Sequence, residues 1–411
     1  MIFRLLKRLL FGVRRDVSLL DMEGDAIDET IDLSGKPLRE GHLRRGLRDQ
    51  RLLPKVWKRR HGPRGSKPRF FSKHEAQRLF GQTHRTNNRA IRDLTSDPEH
   101  LERLGLPRWE TEEELAGALG IPLHTLWHYS IHRDMERCPH YVTFAIPKRN
   151  GSERLIMAPK SRLKAIQRQL VELLVNRLPL HEAAHGFRQG RSTRTGAECH
   201  ARKNVVIRVD LADFFPSVHF GRVRGYLVAC GYAYPVATTL AVLMTEAERQ
   251  PVEVEGAVYH VPVTGRYCVQ GAPTSPGICN AITRKLDNRL NGLARKFGFE
   301  YTRYADDLTF SGADTAKAPT IIRLVESIVR SEGFLLNPAK TRIMRRGRRQ
   351  SVTGITVNDV IGLSRKERRI TRAALHHEKQ NPSGSAGERR LAGKLAYLRM
   401  LNPEQARRLI D

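Results

Sequence analysis

Cysteine is scarce and scattered in this chain. Its five residues, Cys138, Cys199, Cys230, Cys268 and Cys279, form no Cys-x-x-Cys pair. That argues against a zinc ribbon and a disulfide framework, and suits a reducing compartment. Long apolar runs are also missing, since no stretch reaches the roughly 20 residues needed to cross a bilayer. The stretch from Met1 to Gly12 opens like a signal peptide, but Arg4, Lys7 and Arg8 interrupt its apolar part and no small-residue cleavage site follows. The expectation is a cytoplasmic protein with no membrane association. Acid is short as well: 43 Asp and Glu face 72 Lys and Arg, a formal net charge of +29. Such an excess predicts a polyanionic partner. Nucleic acid fits better than a membrane surface, because the basic residues are spread along the chain and not gathered in one amphipathic segment.

At 411 residues the chain is long enough for a sizeable core and two or three structural units. Residues 1–110 read as a basic extension. Met1 to Arg15 has the spacing of a short amphipathic helix, with Phe3, Leu6, Leu10 and Val13 on one side. The Gly-, Pro-, Arg- and Lys-rich stretch from Lys36 to Arg69 reads as a flexible arm, either for phosphates or for docking another protein. Regular structure is expected from Thr111, an N-cap followed by three Glu, with Leu115, Leu119, Leu123 and Leu126 carrying two short helices. His124, His128 and His132 fall four apart, but no carboxylate or thiol completes a metal set. They read as a solvated or RNA-facing side.

Tyr141 to Met157 carries a hairpin signal, with Asn150-Gly151 suited to a type I′ turn. The turn would gather Lys148, Arg149 and Arg154 into a basic tip able to clamp a triphosphate, or into an ordinary exposed hairpin. A helix is expected over Leu163–Leu178, stopped by Pro179. His181-Glu182-Ala183-Ala184-His185 matches a zinc-protease signature, yet that motif needs a continuous helix, and Pro179 and Gly186 bracket it tightly. A long helix is expected after Ser275 as cap and Pro276 in the first turn, ending at Gly298.

The chemistry centres on Phe299 to Gly312. Bulky β-formers flank Asp306 and Asp307, so the stretch reads as two short strands joined at an acidic turn. Adjacent carboxylates repel, and rigid ones are best explained by a cation that neutralises them; a solvated Asp-Asp turn is the plainer alternative. The apolar run Val205–Val209 reads as a buried strand ending in a third carboxylate, Asp210.

Tyr304-Ala305-Asp306-Asp307, with Asp210 and Phe214-Phe215 before it and Gln270-Gly271-Ala272-Pro273-Thr274-Ser275-Pro276 between, resembles the palm of reverse transcriptases. Ala184-His185-Gly186-Phe187, Gly190-Arg191-Ser192 and Val352-Thr353-Gly354 resemble the retron branch of that family. Retron enzymes also carry Asn-Ala-x-x-His; here the stretch reads Gly196-Ala197-Glu198-Cys199-His200, with Gly for Asn. The resemblance spans about residues 115–360.

It implies an α+β right-hand architecture of fingers, palm and helical thumb, with residues 111–335 as fingers and palm and 336–411 as the end of the palm and a basic thumb. It implies two magnesium ions on Asp210, Asp306 and Asp307, with Asp213 structural. Arg154 and Lys148 would meet the incoming nucleotide's phosphates, and Gln270 and Gly271 would line its pocket. Phe215 would exclude a 2′-hydroxyl, and Lys340 would protonate the leaving pyrophosphate. Val352, Thr353 and Gly354 would recognise RNA. The implied partners are a structured noncoding RNA as template and primer, its DNA product, deoxynucleoside triphosphates and a separate effector protein, in antiviral defence. A group II intron-like reverse transcriptase and a noncatalytic RNA-binding protein of the same fold are the competing readings.

Overall fold

A computed structural model describes residues 95–131, 136–147, 151, 153–254, 257–380 and 384–410. The expected N-terminal amphipathic helix, the basic arm, His132, and Lys148, Arg149 and Asn150 lie outside these. The chain folds into two compact units, each made of two stretches: residues 1–175 with 218–275, and 176–217 with 276–411.

The first unit opens with α1 (Pro98–Arg103), α2 (Glu112–Ala118) and α3 (Leu123–Ser130). Thr111 caps α2 as expected, its side chain accepting from the Glu114 N–H. Leu101, Leu115, Leu119 and Leu126 are buried. Strands β1 (Tyr141–Pro147) and β2 (Glu153–Pro159) pair antiparallel, from Tyr141 opposite Pro159 to Pro147 opposite Glu153. Helix α4 (Ser161–Leu173) stops earlier than Pro179 demands, because the chain tightens into a 3-10 turn at Val175–Arg177. Its buried Gln167 donates to both Tyr141 Oη and the Leu243 carbonyl, each at 2.7 Å.

The chain then supplies α5 (Thr193–Glu198) and β3 (Val205–Ala212) to the second unit. It returns to the first with α6 (Phe220–Ala229), α7 (Tyr234–Met244) and the hairpin β4 (Arg249–Val254) and β5 (Ala257–Pro262). Helix α7 is apolar nearly all round, and α2, α3, α4 and α6 pack on it; that is why it forms the centre of this unit.

From Pro276 onward the chain stays in the second unit. Helices α8 (Ser275–Ile282) and α9 (Arg284–Phe297) replace the single long helix expected from sequence. The break falls at Thr283, whose hydroxyl donates to the carbonyls of Cys279 and Asn280. Ser275 is the first helical residue and its Oγ makes no hydrogen bond, so it does not cap; the left-handed Gly298 does end α9. The sheet that follows contains β6 (Phe299–Tyr304), β7 (Asp307–Gly312), β8 (Leu335–Leu336) and β9 (Arg342–Arg345), with α10 (Ala318–Ser331) between β7 and β8. Its order is β6-β7-β3-β8, with β9 also pairing β3. Strand β3 is thus central, with β7 along one edge and β8 and β9 sharing the other.

A short hairpin, β10 (Ser351–Val352) and β11 (Ile355–Thr356), precedes α11 (Arg365–Gln380), α12 (Gly384–Leu401) and α13 (Pro403–Ile410). Ser364 starts α11 by a reciprocal cap: its Oγ accepts from Glu367 N–H, and the Glu367 carboxylate accepts from the Ser364 N–H. Val206 of β3, Val352, Ile355, Val357 and Leu401 share one apolar cluster. Among the described residues, no helix is long and apolar enough to cross a membrane.

Candidate active site

Strand β3 does not end at Asp210. It continues two residues further, where Leu211 and Ala212 pair with β8. Asp210 therefore sits inside the central strand, directly opposite Asp307 in the β3–β7 ladder. Opposed residues on neighbouring antiparallel strands are about 4.5–5.5 Å apart at Cα, so the register alone brings these two acids together. The β6–β7 turn is tighter than the sequence suggests. Asp307 already belongs to β7, paired with Tyr304, so Ala305 and Asp306 form the turn. The Leu211 N–H donates to the Asp306 carbonyl at 2.8 Å, pinning the turn beside Asp210.

Both strand carboxylates face cations of the protein. Lys340 Nζ lies 2.8 Å and 3.0 Å from the two Asp210 carboxylate oxygens. Arg208 Nε lies 2.8 Å from Asp307. Asp307's carboxyl is pushed up to about 6, first by burial and also by the charges of Asp306 and Asp210, against the pull of Arg208. Among the described residues, no three His, Cys, Asp or Glu side chains close into a ready ligand set. The donor chemistry nonetheless fits a hard divalent cation: Asp307 feels the charges of Asp306 and Asp210, and a cation beside it would relieve the repulsion.

The rest of the unit shapes this site. Phe214 is buried against Phe334, whereas neighbouring Phe215 is only partly buried. Asp213 is exposed, with φ at +44°, and its carbonyl accepts from Ser217 N–H, which is a turn-forming role. His200 is fully buried, and its ring nitrogens bond Ser311 Oγ of β7 and Thr302 Oγ1 of β6, each at 2.7 Å. Burial lowers its pKa to about 3, so the ring is neutral. The segment from His181 to His185 forms no helix, and Ala184 pairs instead with Arg303 of β6, which rules out the zinc-protease geometry. At the second hairpin, Val352 is buried in the apolar cluster, while Thr353 and Gly354 make the turn, both at positive φ.

Three of the expected nucleotide-contacting residues lie in the first unit. Arg154 is on β2, opposite Ile146. The Met157 N–H of the same strand donates to the Gln270 carbonyl at 2.9 Å. Gly271 follows at φ +129°, where a Cβ would meet the Met157 carbonyl oxygen at 2.6 Å, so only glycine fits. Arg154 and the Gln270-Gly271 pair thus belong to one strapped element. Lys148 lies outside the described residues.

Sequence reasoning passed over Arg208, Asn280, Asp287 and Arg303. Asp287 did leave a signal, a carboxylate on the apolar stripe of α9 among Leu286, Leu290 and Ala294. A charge placed there is buried, and a buried charge needs a partner.

A palm sheet with paired acids at its hairpin defines a class of nucleotidyl-transferring polymerase, and residues 146–370 match the family described as reverse transcriptase (RNA-dependent DNA polymerase). The chain belongs to that family and is an RNA-directed DNA polymerase. Its kin are more specific. The chain is 56% identical to the retron Mx65 reverse transcriptase of Myxococcus xanthus, over 95% of this chain and 91% of that protein. It is 43% identical to the retron Mx162 reverse transcriptase of the same organism, over 77% of this chain and 69% of that one. It is 29% identical to the retron Ec86 reverse transcriptase of Escherichia coli, over 75% and 90%. The protein is a bacterial retron-type reverse transcriptase.

Proposed function

We propose that the protein copies a structured noncoding RNA into DNA, priming from a 2′-hydroxyl of that RNA, in the cytoplasm and as part of antiviral defence with a separate effector protein. The observation that carries the polymerase chemistry is the register of Asp210 opposite Asp307, with Asp306 pinned beside them. These three would hold two magnesium ions. When bound, the ions activate the attacking hydroxyl and stabilise the charge on the leaving pyrophosphate.

The protein's own groups complete the scheme. Phe215, half-buried beside the acids' strand, blocks space for a 2′-hydroxyl on the incoming nucleotide. Lys340, next to Asp210, is the cation at hand to give a proton to pyrophosphate. Arg154 and Lys148 grip the triphosphate, and Gln270 and Gly271 line the nucleotide pocket; for these four the support is the family resemblance. Of the retron-type turn, Thr353 and Gly354 present the RNA-recognising surface, while Val352 supports them from the core. The net charge of +29 supplies the sequence-independent hold on phosphates.

The test is to purify the protein with its bound nucleic acid and digest with nucleases of each kind. DNA joined to RNA through a 2′-linkage is expected. RNA alone, with no DNA attached, would contradict the proposal.

A further inference from the structure

Arg303 is the largest fully buried side chain among the described residues, and it belongs to the catalytic hairpin three positions before Asp306. Its guanidinium is used on two sides. One edge donates from Nε and a terminal nitrogen to the two oxygens of Asp287 on α9, at 2.8 and 2.7 Å. The other terminal nitrogen donates to Asn280 Oδ1 on α8 at 2.7 Å and to the Ala305 carbonyl at 3.3 Å. Tyr301 Oη adds a bond to Asp287 at 2.8 Å, and Asn280 Nδ2 donates to the Gly186 carbonyl at 2.7 Å. The backbone of Arg303 is held as well, by the Ala183 carbonyl and the His185 N–H. Gly186 comes so close that a Cβ there would stand 2.8 Å from the Ala305 nitrogen.

Stability alone does not account for this arrangement. Desolvating an ion pair costs enough that apolar residues of similar volume would serve a core as well or better. What the fork does provide is direction. Its second edge, held by Asn280, also reaches the carbonyl of Ala305, a non-glycine residue at φ +55°, a backbone state that persists only where surroundings over-determine it. Ala305 precedes Asp306, whose own carbonyl is bonded by Leu211 next to Asp210. A continuous chain of bonds therefore runs from α8 and α9 through Arg303 to the acidic turn.

We propose that Arg303, clamped by Asp287 and Asn280, is a positioning residue that fixes the Ala305-Asp306 turn and so sets Asp306 and Asp307 against Asp210. The proposal rests on the polymerase reading of those acids. A Lys at this place keeps the charge and most of the volume but loses the fork, so Arg303→Lys separates direction from charge.

The experiment measures single-nucleotide addition to a DNA primer on an RNA template by the full chain, with unfolding and primer-template binding followed in parallel. Arg303→Lys is expected to fold and bind as the parent does and to keep its KM for the nucleotide. Its kcat should fall by about 100-fold, the scale of a small misplacement at the reacting centre. The magnesium concentration for half-maximal rate should rise. Parental kcat with a parental magnesium requirement would overturn the proposal. If Arg303→Lys does not fold, Gly186→Ala decides, since its added methyl presses on the turn without touching the ion pair: the same loss of kcat supports the proposal, and a parental kcat overturns it. Asp307→Asn runs alongside. If it is inactive while the positioning variants match the parent, only the positioning role fails; if it extends primers normally, the polymerase reading fails and the inference with it.

Discussion

Two hairpins of this molecule are built by opposite rules. In β1–β2 the residues of β1 alternate between more and less covered, β2 is open near the turn and covered from Ile156 on, and Gly151 takes the positive φ at the turn. Local chemistry is enough to specify it. In β6–β7 nearly every residue of both strands is covered, and the turn places an alanine at positive φ, against local preference. That turn is held by the Arg303 side chain of β6, itself clamped from outside the hairpin by Asp287 and Asn280, and by the Ala183–Gly186 segment and Leu211. The difference teaches where precision is located: one hairpin follows its own sequence at the turn, while the one forced by its neighbours carries the acids.

The contrast should show most strongly in stability. Phe310 on β7 is fully buried against Tyr301, with ring centroids 4.8 Å apart, so Phe310→Ala should cost about 3–5 kcal/mol in denaturant unfolding. A cost near zero would mean that the palm hairpin is no more deeply set than β1–β2.

A pH titration comes next in size. His200 bridges β6 and β7, and its folded-state pKa of about 3 lies below the ordinary 6.5. The unfolded chain therefore binds the extra proton between those values. Stability from this group is complete above pH 6.5 and is lost as pH falls toward 3, with a limiting slope of about 1.4 kcal/mol per pH unit. His185, lowered to about 4 by burial, acts in the same direction. Asp307, raised to about 6 by burial, acts in the opposite direction above 3.8, losing stability as pH rises. The curves of the parent and of His200→Gln should therefore differ in slope below pH 6.5, and parallel curves would deny the buried neutral imidazole.

Legibility followed the same divide. Asn150-Gly151 announced the first hairpin, Thr111 its helix cap, and the acids of the second hairpin stood out as a repeated family pattern. Not legible were the break at Thr283, made by one hydroxyl turning back on two carbonyls, and the extra two residues of β3, created by pairing with Leu335 and Leu336. The cations on Asp210 and Asp307 come from residues 130 and 99 positions away, a separation no local pattern encodes.

A smaller effect is expected on sugar choice. Phe215→Ala should relax discrimination against ribonucleotides by at least about tenfold, the scale of a pocket that gains room for a small group. The ratio of kcat/KM for the two nucleotide kinds checks it, and an unchanged ratio would move the gate elsewhere. The smallest effect belongs to the β1–β2 hairpin: Leu155 is 40% exposed, so Leu155→Ala should change unfolding free energy by no more than about 0.5 kcal/mol. A loss as large as that of Phe310→Ala would erase the contrast between the hairpins.

On the proposed function, Asp210 and Asp307, set opposite each other by strand register, form a cation-dependent polymerising centre. Single-nucleotide addition across a magnesium titration tests it most directly, with the parent, Asp210→Asn and Asp307→Asn compared on one primer and RNA template. The parent should rise to a plateau and lose all activity in excess chelator, while both variants stay at background at every concentration. Extension by either variant at near-parental rate, or by the parent in chelator, would contradict the account.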